Sequence, residues 1–330
     1  MLVLAAGFII IDLIAAELPS IAKPGEVIFV EEGIRVHLGG HPANLSADLI
    51  KLGFPPREIA VIGAVGEDFF GDFAIATLSA LGVRPLLIRI PSTRTGKNLI
   101  LVVRNEDRRF HVDPGANDAL TPSYLLSKVK EYEPKLFYMA AGLTGLVDKV
   151  LDKVLAEVKN YGSITFLDLI EPRGDIRDKL RESLRYVDII HCNYLEAKAL
   201  TGEEGIEAIL QELTKLGVRM ITITLGGKGA YLRLGNLTIY QPSFKVEVID
   251  PTGAGDAFCA GLIKKLYELN RLTSLPPQDR GVLSDILLYA QAVGAVKCTG
   301  IGASTAISES SVRRLIKMQG DRLRELEKFI

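Results

Sequence analysis

Tryptophan is missing from all 330 residues, and cysteine and histidine are sparse at three and four. Cys192, Cys259 and Cys298 form no C-x-x-C pair, and the histidines are scattered. That spacing predicts neither a zinc site nor a disulfide framework; an odd set of thiols suits a reducing cytosol, so a cytoplasmic protein is expected. Glutamine is also scarce, a usage that leans toward a thermostable protein. Excess charge of one sign is lacking as well: 39 Lys and Arg stand against 40 Asp and Glu, a net charge of -1. Without a whole-chain basic field, a nucleic-acid partner is not expected. No apolar run reaches the roughly 18 residues of a membrane helix, so no membrane partner is expected either. Residues 1–16 are very apolar, but no Lys or Arg precedes Lys23 and Asp12 interrupts the run, which argues against a secretory signal. No internal repeat is present, and the 31 Gly and 15 Pro fall at turns and not in a low-complexity tract.

What remains is ordinary globular usage, 48% hydrophobic and 24% charged, in a chain long enough for one large α/β domain or two ordinary ones. Apolar runs at 2–11, 59–64, 86–90, 136–139, 164–167, 187–191 and 220–224 alternate with amphipathic stretches at 43–52, 69–81, 147–159, 176–184 and 205–216. This alternation predicts a parallel sheet covered by helices on both faces. The first run, ending on Asp12, reads as a buried parallel strand that brings a carboxylate to the carboxyl edge of that sheet, where open α/β sheets bind ligands. Two stretches, 27–37 and 98–111, are β-rich with polar turns and no helix directly after them, and suit a small antiparallel sheet outside the main one. The last third reads as mostly helical, over 254–270, 282–297 and 309–330.

Neither common phosphate loop is present. Gly96-Lys97-Asn98 and Gly226-Gly227-Lys228-Gly229 lack the spacing of a Walker A loop, and no G-x-G-x-x-G opens a helix after a strand. Four other segments carry chemistry. In Asp250-Pro251-Thr252-Gly253-Ala254-Gly255-Asp256 three small residues open a helix, where backbone N–H groups and the helix dipole favour an anion. Such a nest suits a phosphoryl group in flight, and Asp256 in the first turn suits a proton acceptor; it is equally a favourable first-turn acid. In Gly39-Gly40-His41-Pro42-Ala43-Asn44 two glycines permit close approach of a ligand, and Asn44 offers a donor and an acceptor to hydroxyls; the alternative is a plain loop before a helix. Asn193 and Glu196, three apart in a first helical turn, suit the waters of a nucleotide's Mg²⁺ or, alternatively, a capping box. Thr224-Leu225-Gly226-Gly227-Lys228-Gly229 suits the wrapping of a nucleotide or a hairpin turn.

These four segments, in this order, resemble the ribokinase-like carbohydrate kinases, also called the phosphofructokinase-B family. Ile62-Gly63-Ala64-Val65-Gly66-Glu67-Asp68-Phe69-Phe70-Gly71, Thr95-Gly96 and Gly115-Ala116-Asn117 are similar to further landmarks of that family, so the resemblance runs from Leu2 to about Ile307. It implies one kinase domain over 1–330: a doubly wound, mostly parallel central sheet with helices on both faces, and a small β-sheet lid formed by about 12–38 and 91–113. It implies an ATP-dependent phosphotransferase acting on a hydroxyl of a sugar or polyol, with a nucleoside kinase or a catalytically silent regulatory relative as alternatives. By the same resemblance Asp256 is the catalytic base and Gly253, Ala254 and Gly255 the anion hole. Asp12, Gly39, Gly40 and Asn44 touch the acceptor; Asn193 and Glu196 serve Mg²⁺ and phosphates, Glu196 through water; and Thr224, Gly226 and Gly229 hold the nucleotide. The resemblance also implies a K⁺ beside the anion hole, held by Asp250 and Thr252 and closed by 300–304, and a homodimer through the lid. Two departures stand out. The strand that should run into Asp-x-Asn-x-Arg reads Asp168-Leu169-Ile170-Glu171-Pro172-Arg173, and His41 replaces the Lys, Ala or Ser expected after the glycine pair.

Overall fold

The computed structural model describes residues 1–330 except 32, 105, 107, 171–175 and 301–305. The central sheet is built from β1 (Val3–Ala6), β4 (Ile59–Gly66), β5 (Arg84–Ile90), β8 (Leu136–Ala141), β9 (Ile164–Leu169), β10 (Ile189–Asn193), β11 (Met220–Thr224), β12 (Ala230–Leu234), β13 (Leu237–Gln241) and β14 (Lys328–Phe329). Their order is β14-β13-β12-β11-β10-β9-β8-β1-β4-β5. The seven strands from β11 to β5 are parallel, and β12, β13 and β14 add an antiparallel edge. A separate sheet, ordered β3-β2-β6-β7, holds β2 (Ile10–Leu18), β3 (Ile34–Gly39), β6 (Lys97–Val103) and β7 (Arg109–Asp113).

The helices are α1 (His41–Lys51), α2 (Phe69–Ala80), α3 (Pro122–Tyr132), α4 (Leu151–Asn160), α5 (Arg177–Ser183), α6 (Tyr194–Thr201), α7 (Ile206–Lys215), α8 (Ala254–Glu268), α9 (Arg280–Lys297) and α10 (Glu309–Glu325). The inner strands bury both faces, and their alternate residues divide the core in two. Val3, Ala5, Ile59, Val61, Leu136 and Tyr138 pack with α1, α2 and α8 to α10. Leu4, Ala6, Ala60, Ile62, Phe137 and Met139 pack with α3 to α7. The expected doubly wound architecture is therefore present, with β12–β14 as an antiparallel extension.

One expectation is corrected. The apolar run 2–11 is not one strand: β1 ends at Ala6 and β2 starts at Ile10 in the other sheet. Gly7, at φ 153° and packed so that a methyl group would crowd the Ala140 methyl, turns the chain between them. Asp12 consequently stands on the smaller sheet, paired with His37, and not at the edge of the central one. Smaller differences follow from the same local reading. The stretch 27–37 forms a strand only from Ile34, α3 lies outside the stretches whose pattern predicts a helix, and the tail leaves its helix at Glu325 to add β14.

Candidate active site

A cleft of about 640 Å³ lies between the C-terminal ends of β9, β10 and β11 and the smaller sheet. It is lined by Asp12, Gly40, Asn44, Asn193, Glu196, Thr224, Thr252, Gly253, Ala254, Gly255 and Asp256 from the expected set. A second cavity, of about 660 Å³, shares Asn193, Thr224, Pro251, Ala254 and Gly255 with it and runs on past Gly226 and Gly229. Positions separated by more than 200 residues in sequence thus share one continuous groove. Gly39 is the last residue of β3, and Asp250 is in the lining of neither cavity.

Asp256 is 3% exposed and sits in the first turn of α8, whose N-cap is Gly253 with no side chain capping it. A helix leaves its first N–H groups unpaired, so this end presents donors to the groove. Asn44 Nδ2 donates to Asp256 Oδ2 at 2.9 Å, and His41 Nδ1 lies 2.6 Å from Oδ1. Both partners come from the start of α1. The turn into that helix depends on Gly40, at φ 95°, where a methyl group would overlap the Phe8 carbonyl oxygen. Burial alone would lower the His41 pKa, but the Asp256 carboxylate overrides it and lifts it to about 9. At neutral pH His41 is therefore an imidazolium.

Deeper in the cleft, Asp168 accepts from His191 Nδ1 at 2.7 Å and from the Tyr138 hydroxyl at 2.5 Å, with His41 Nδ1 3.9 Å away. Burial opposes charge on Asp168, yet His191 beside it holds its pKa below the usual value. Burial likewise opposes charge on His191, and Asp168 raises it. The ligand atoms of Asp168, His191 and Cys259, and of His41, Asp168 and Asp256, each lie within 4.8 Å of one another, groupings that spacing in sequence did not reveal. Neither His41, beyond its being an unusual residue, nor His191 or Asn98 was singled out from sequence. The signal for His191 and Asp168 lies in strand order: they are direct partners in the β9–β10 register.

Toward the smaller sheet, Asn98 Nδ2 donates to Asp12 Oδ1 at 3.0 Å, and Gly39 packs so closely on Asp12 Oδ2 that a methyl group there would overlap it. Burial pushes the Asp12 carboxyl up to about 6, with the Asn98 hydrogen bond opposing it. Asn193 and Glu196 form the capping box of α6, Glu196 N–H to Asn193 Oδ1 at 3.0 Å and Asn193 N–H to Glu196 Oε2 at 2.8 Å, while also lining the groove. The two readings of that pair are therefore compatible. His37, Phe110 and His111 of the smaller sheet, and Phe29 in the loop before β3, do not line the cleft. Phe29 and Phe110 are 84% and 52% exposed.

Asp250, one of the two expected potassium ligands, is already engaged by groups of the chain itself. Asp250 Oδ1 accepts from Arg108 Nη1 and from Thr252 N–H, and Lys297 Nζ donates to the Asp250 carbonyl at 2.9 Å. Residues 301–304, expected to close that site, and 171–173, where the Asp-x-Asn-x-Arg pattern is lost, lie outside the described residues.

Comparison with known proteins agrees with this geometry. The chain is 26% identical over 287 residues to a ribokinase of Staphylococcus aureus (strain COL), covering 82% of this chain and 91% of the relative. It is 26% identical over 291 residues to fructokinase-1 of Oryza sativa subsp. japonica, covering 84% and 88%. The structure of Arabidopsis thaliana ribokinase complexed with ribose and ATP superposes with a TM-score of 0.77 at 25% identity, covering 96% of this chain and 98% of that one. The model of the pfkB family carbohydrate kinases matches residues 2–310, and with that match over nearly its whole length the chain belongs to this family.

Proposed function

We propose that the protein transfers the γ-phosphoryl group of ATP to a hydroxyl of a small sugar or polyol, with Asp256 as the general base. The observation that carries the reading is the placement of a buried carboxylate in the first turn of α8, directly beside the N–H groups of that helix end. The acceptor hydroxyl gives its proton to Asp256 as its oxygen bonds to the γ-phosphorus and the bond to ADP breaks. Each Asp256 oxygen already accepts one hydrogen bond, from His41 or Asn44, and keeps a second lone pair for the substrate. On this reading the N–H groups of Gly253 and Gly255 meet the charge that builds on the phosphoryl oxygens, while the Ala254 N–H donates to the Pro251 carbonyl at 3.1 Å.

Asp12, Asn98 and Asn44 supply a carboxylate and two amides around the cleft, the chemistry that recognises several hydroxyls at once. The second cavity, past Thr224, Gly226 and Gly229, suits the nucleotide. Glu196 uses Oε2 in its capping box, which leaves Oε1 to hold a water of Mg²⁺. On this reading the smaller sheet is a lid that keeps water from the transfer, and the chain works as a single kinase unit. The exposed positions of Phe29 and Phe110 give no support to a stacked nucleobase.

The test is ADP release with Mg·ATP across a panel of sugars, polyols and nucleosides. Polyhydroxylated sugars should stimulate release and become phosphorylated. A protein that uses only nucleosides, or no acceptor at all, would overturn the reading.

A further inference from the structure

Asp250 stands three residues ahead of Gly253, the N-cap of α8, and two cations are fixed on it. Arg108, from the β6–β7 connection of the smaller sheet, donates to Oδ1. Lys297, the last residue of α9, donates to the Asp250 carbonyl at 2.9 Å and stands 3.8 Å from Oδ1. The Lys297 side chain is 0% exposed, a position lysine occupies almost only when paired. It also lies at a helix C-terminus, where the dipole favours positive charge.

The same junction is tied by the backbone. Ile249 and Asp250 N–H both donate to the Cys298 carbonyl, at 2.8 and 3.1 Å, and Thr252 N–H donates to Asp250 Oδ1 at 2.8 Å. The ammonium therefore clamps the end of α9 to the loop that sets the first turn of α8. Arg108 arrives from the smaller sheet, and Lys297 belongs to a core helix. A dissolved cation here would have to take an Asp250 carbonyl that the ammonium already holds and a carboxylate oxygen that Arg108 and the Thr252 N–H already hold, beside a fixed like charge.

We propose that the Lys297 ammonium is the built-in monovalent cation of this site, fixing residues 250–253 and the N–H groups that follow, so that the protein works without potassium. The proposal rests on the kinase reading for its rate readout and on the loop alone for its stability readout.

The experiment compares kcat and the melting temperature of the ligand-free protein in tetramethylammonium, sodium and potassium chloride at one ionic strength. Wild type should give the same values in all three. A specific K⁺ site would instead raise the melting temperature in potassium by mass action, and either that rise or a several-fold gain in kcat over tetramethylammonium overturns the proposal. Lys297→Met should lose about 10-fold to 100-fold in kcat through misplacement of the loop, and recover part of it with potassium or ammonium but not with tetramethylammonium. A Lys297→Met protein as active as wild type in tetramethylammonium also overturns it. The wild-type series needs no variant, so a substituted chain that fails to fold does not shield the idea. A wild type that phosphorylates nothing refutes the kinase reading, and the melting comparison then judges the cation by itself.

Discussion

Asp12→Asn should make the protein more stable and a poorer enzyme at the same time. Burial holds the Asp12 carboxyl at about 6 in the folded protein, against 3.8 for an ordinary aspartate. A carboxyl raised in this way binds its proton more tightly when folded, so folding loses stability as pH climbs from the unfolded to the folded value, and the cost is constant above about 6. Roughly two units at about 1.4 kcal/mol each bound that cost near 3 kcal/mol; because Asp12 borders an open cleft, about 1–2 kcal/mol is the realistic size. Asparagine removes the charge but still accepts from Asn98 Nδ2, the one side-chain bond Asp12 makes among the described residues. Denaturant melts of both proteins should coincide at pH 4 and separate between pH 4 and 6, the variant being the more stable at pH 7.5. The acceptor KM should rise about tenfold for the lost charged acceptor, with the ATP KM unchanged. In wild type the acceptor KM should fall as pH rises through about 6, and in the variant this limb should vanish. If Asp12→Asn were less stable at pH 7.5, or if both KM values moved together, Asp12 would be a structural residue and the pocket reading would fail.

Asp256→Asn should lower kcat by at least about 10²-fold with the ATP KM nearly unchanged, because one amide can still satisfy Asn44 and a neutral His41; a near wild-type kcat in steady-state assays would remove Asp256 as base. His41 owes its pKa of about 9 to Asp256 acting against burial. Its pairing therefore stabilises the fold fully below pH 6.5 and is lost as pH rises through about 9. Melts at pH 7 and pH 10 should show wild type losing about 1–2 kcal/mol that His41→Ala does not lose. Glu196→Gln should shift the Mg²⁺ titration of activity to higher concentration while keeping α6 capped through the amide oxygen; an unchanged titration assigns the pair to helix capping alone.

What the sequence could show is what lies close along the chain. Gly253-Ala254-Gly255-Asp256 and Asn193 to Glu196 each sit within one helical turn, so their shared place at a helix start could be read before any fold was known. The alternation of buried strands and amphipathic helices was legible for the same reason: a strand end and the loop after it are neighbours both in sequence and in space. The Asp12 error shows the limit. Residues 2–11 are apolar throughout, so nothing in their pattern marks the passage from one sheet to another. The mark is Gly7, and its meaning depends on Ala140, more than a hundred residues away. His191 and Asp168 meet only because β10 and β9 are adjacent and in that register, and His41 meets Asp256 only because α1 packs beside α8. Lys297 reads as a routine basic residue ending a helix until its burial against Asp250 is known. In the last three cases the hidden term is a pairing of ionisable groups that local pattern cannot carry, because the free energy of a buried charge depends on its partner and not on its neighbours in sequence. The roles of His41 and Lys297 therefore belong to one argument. Asp168 and Asp256 in the groove, and Asp250 in the loop ahead of α8, are each set against a basic side chain of the chain: His191 on Asp168, His41 on Asp256, and Lys297 with Arg108 on Asp250.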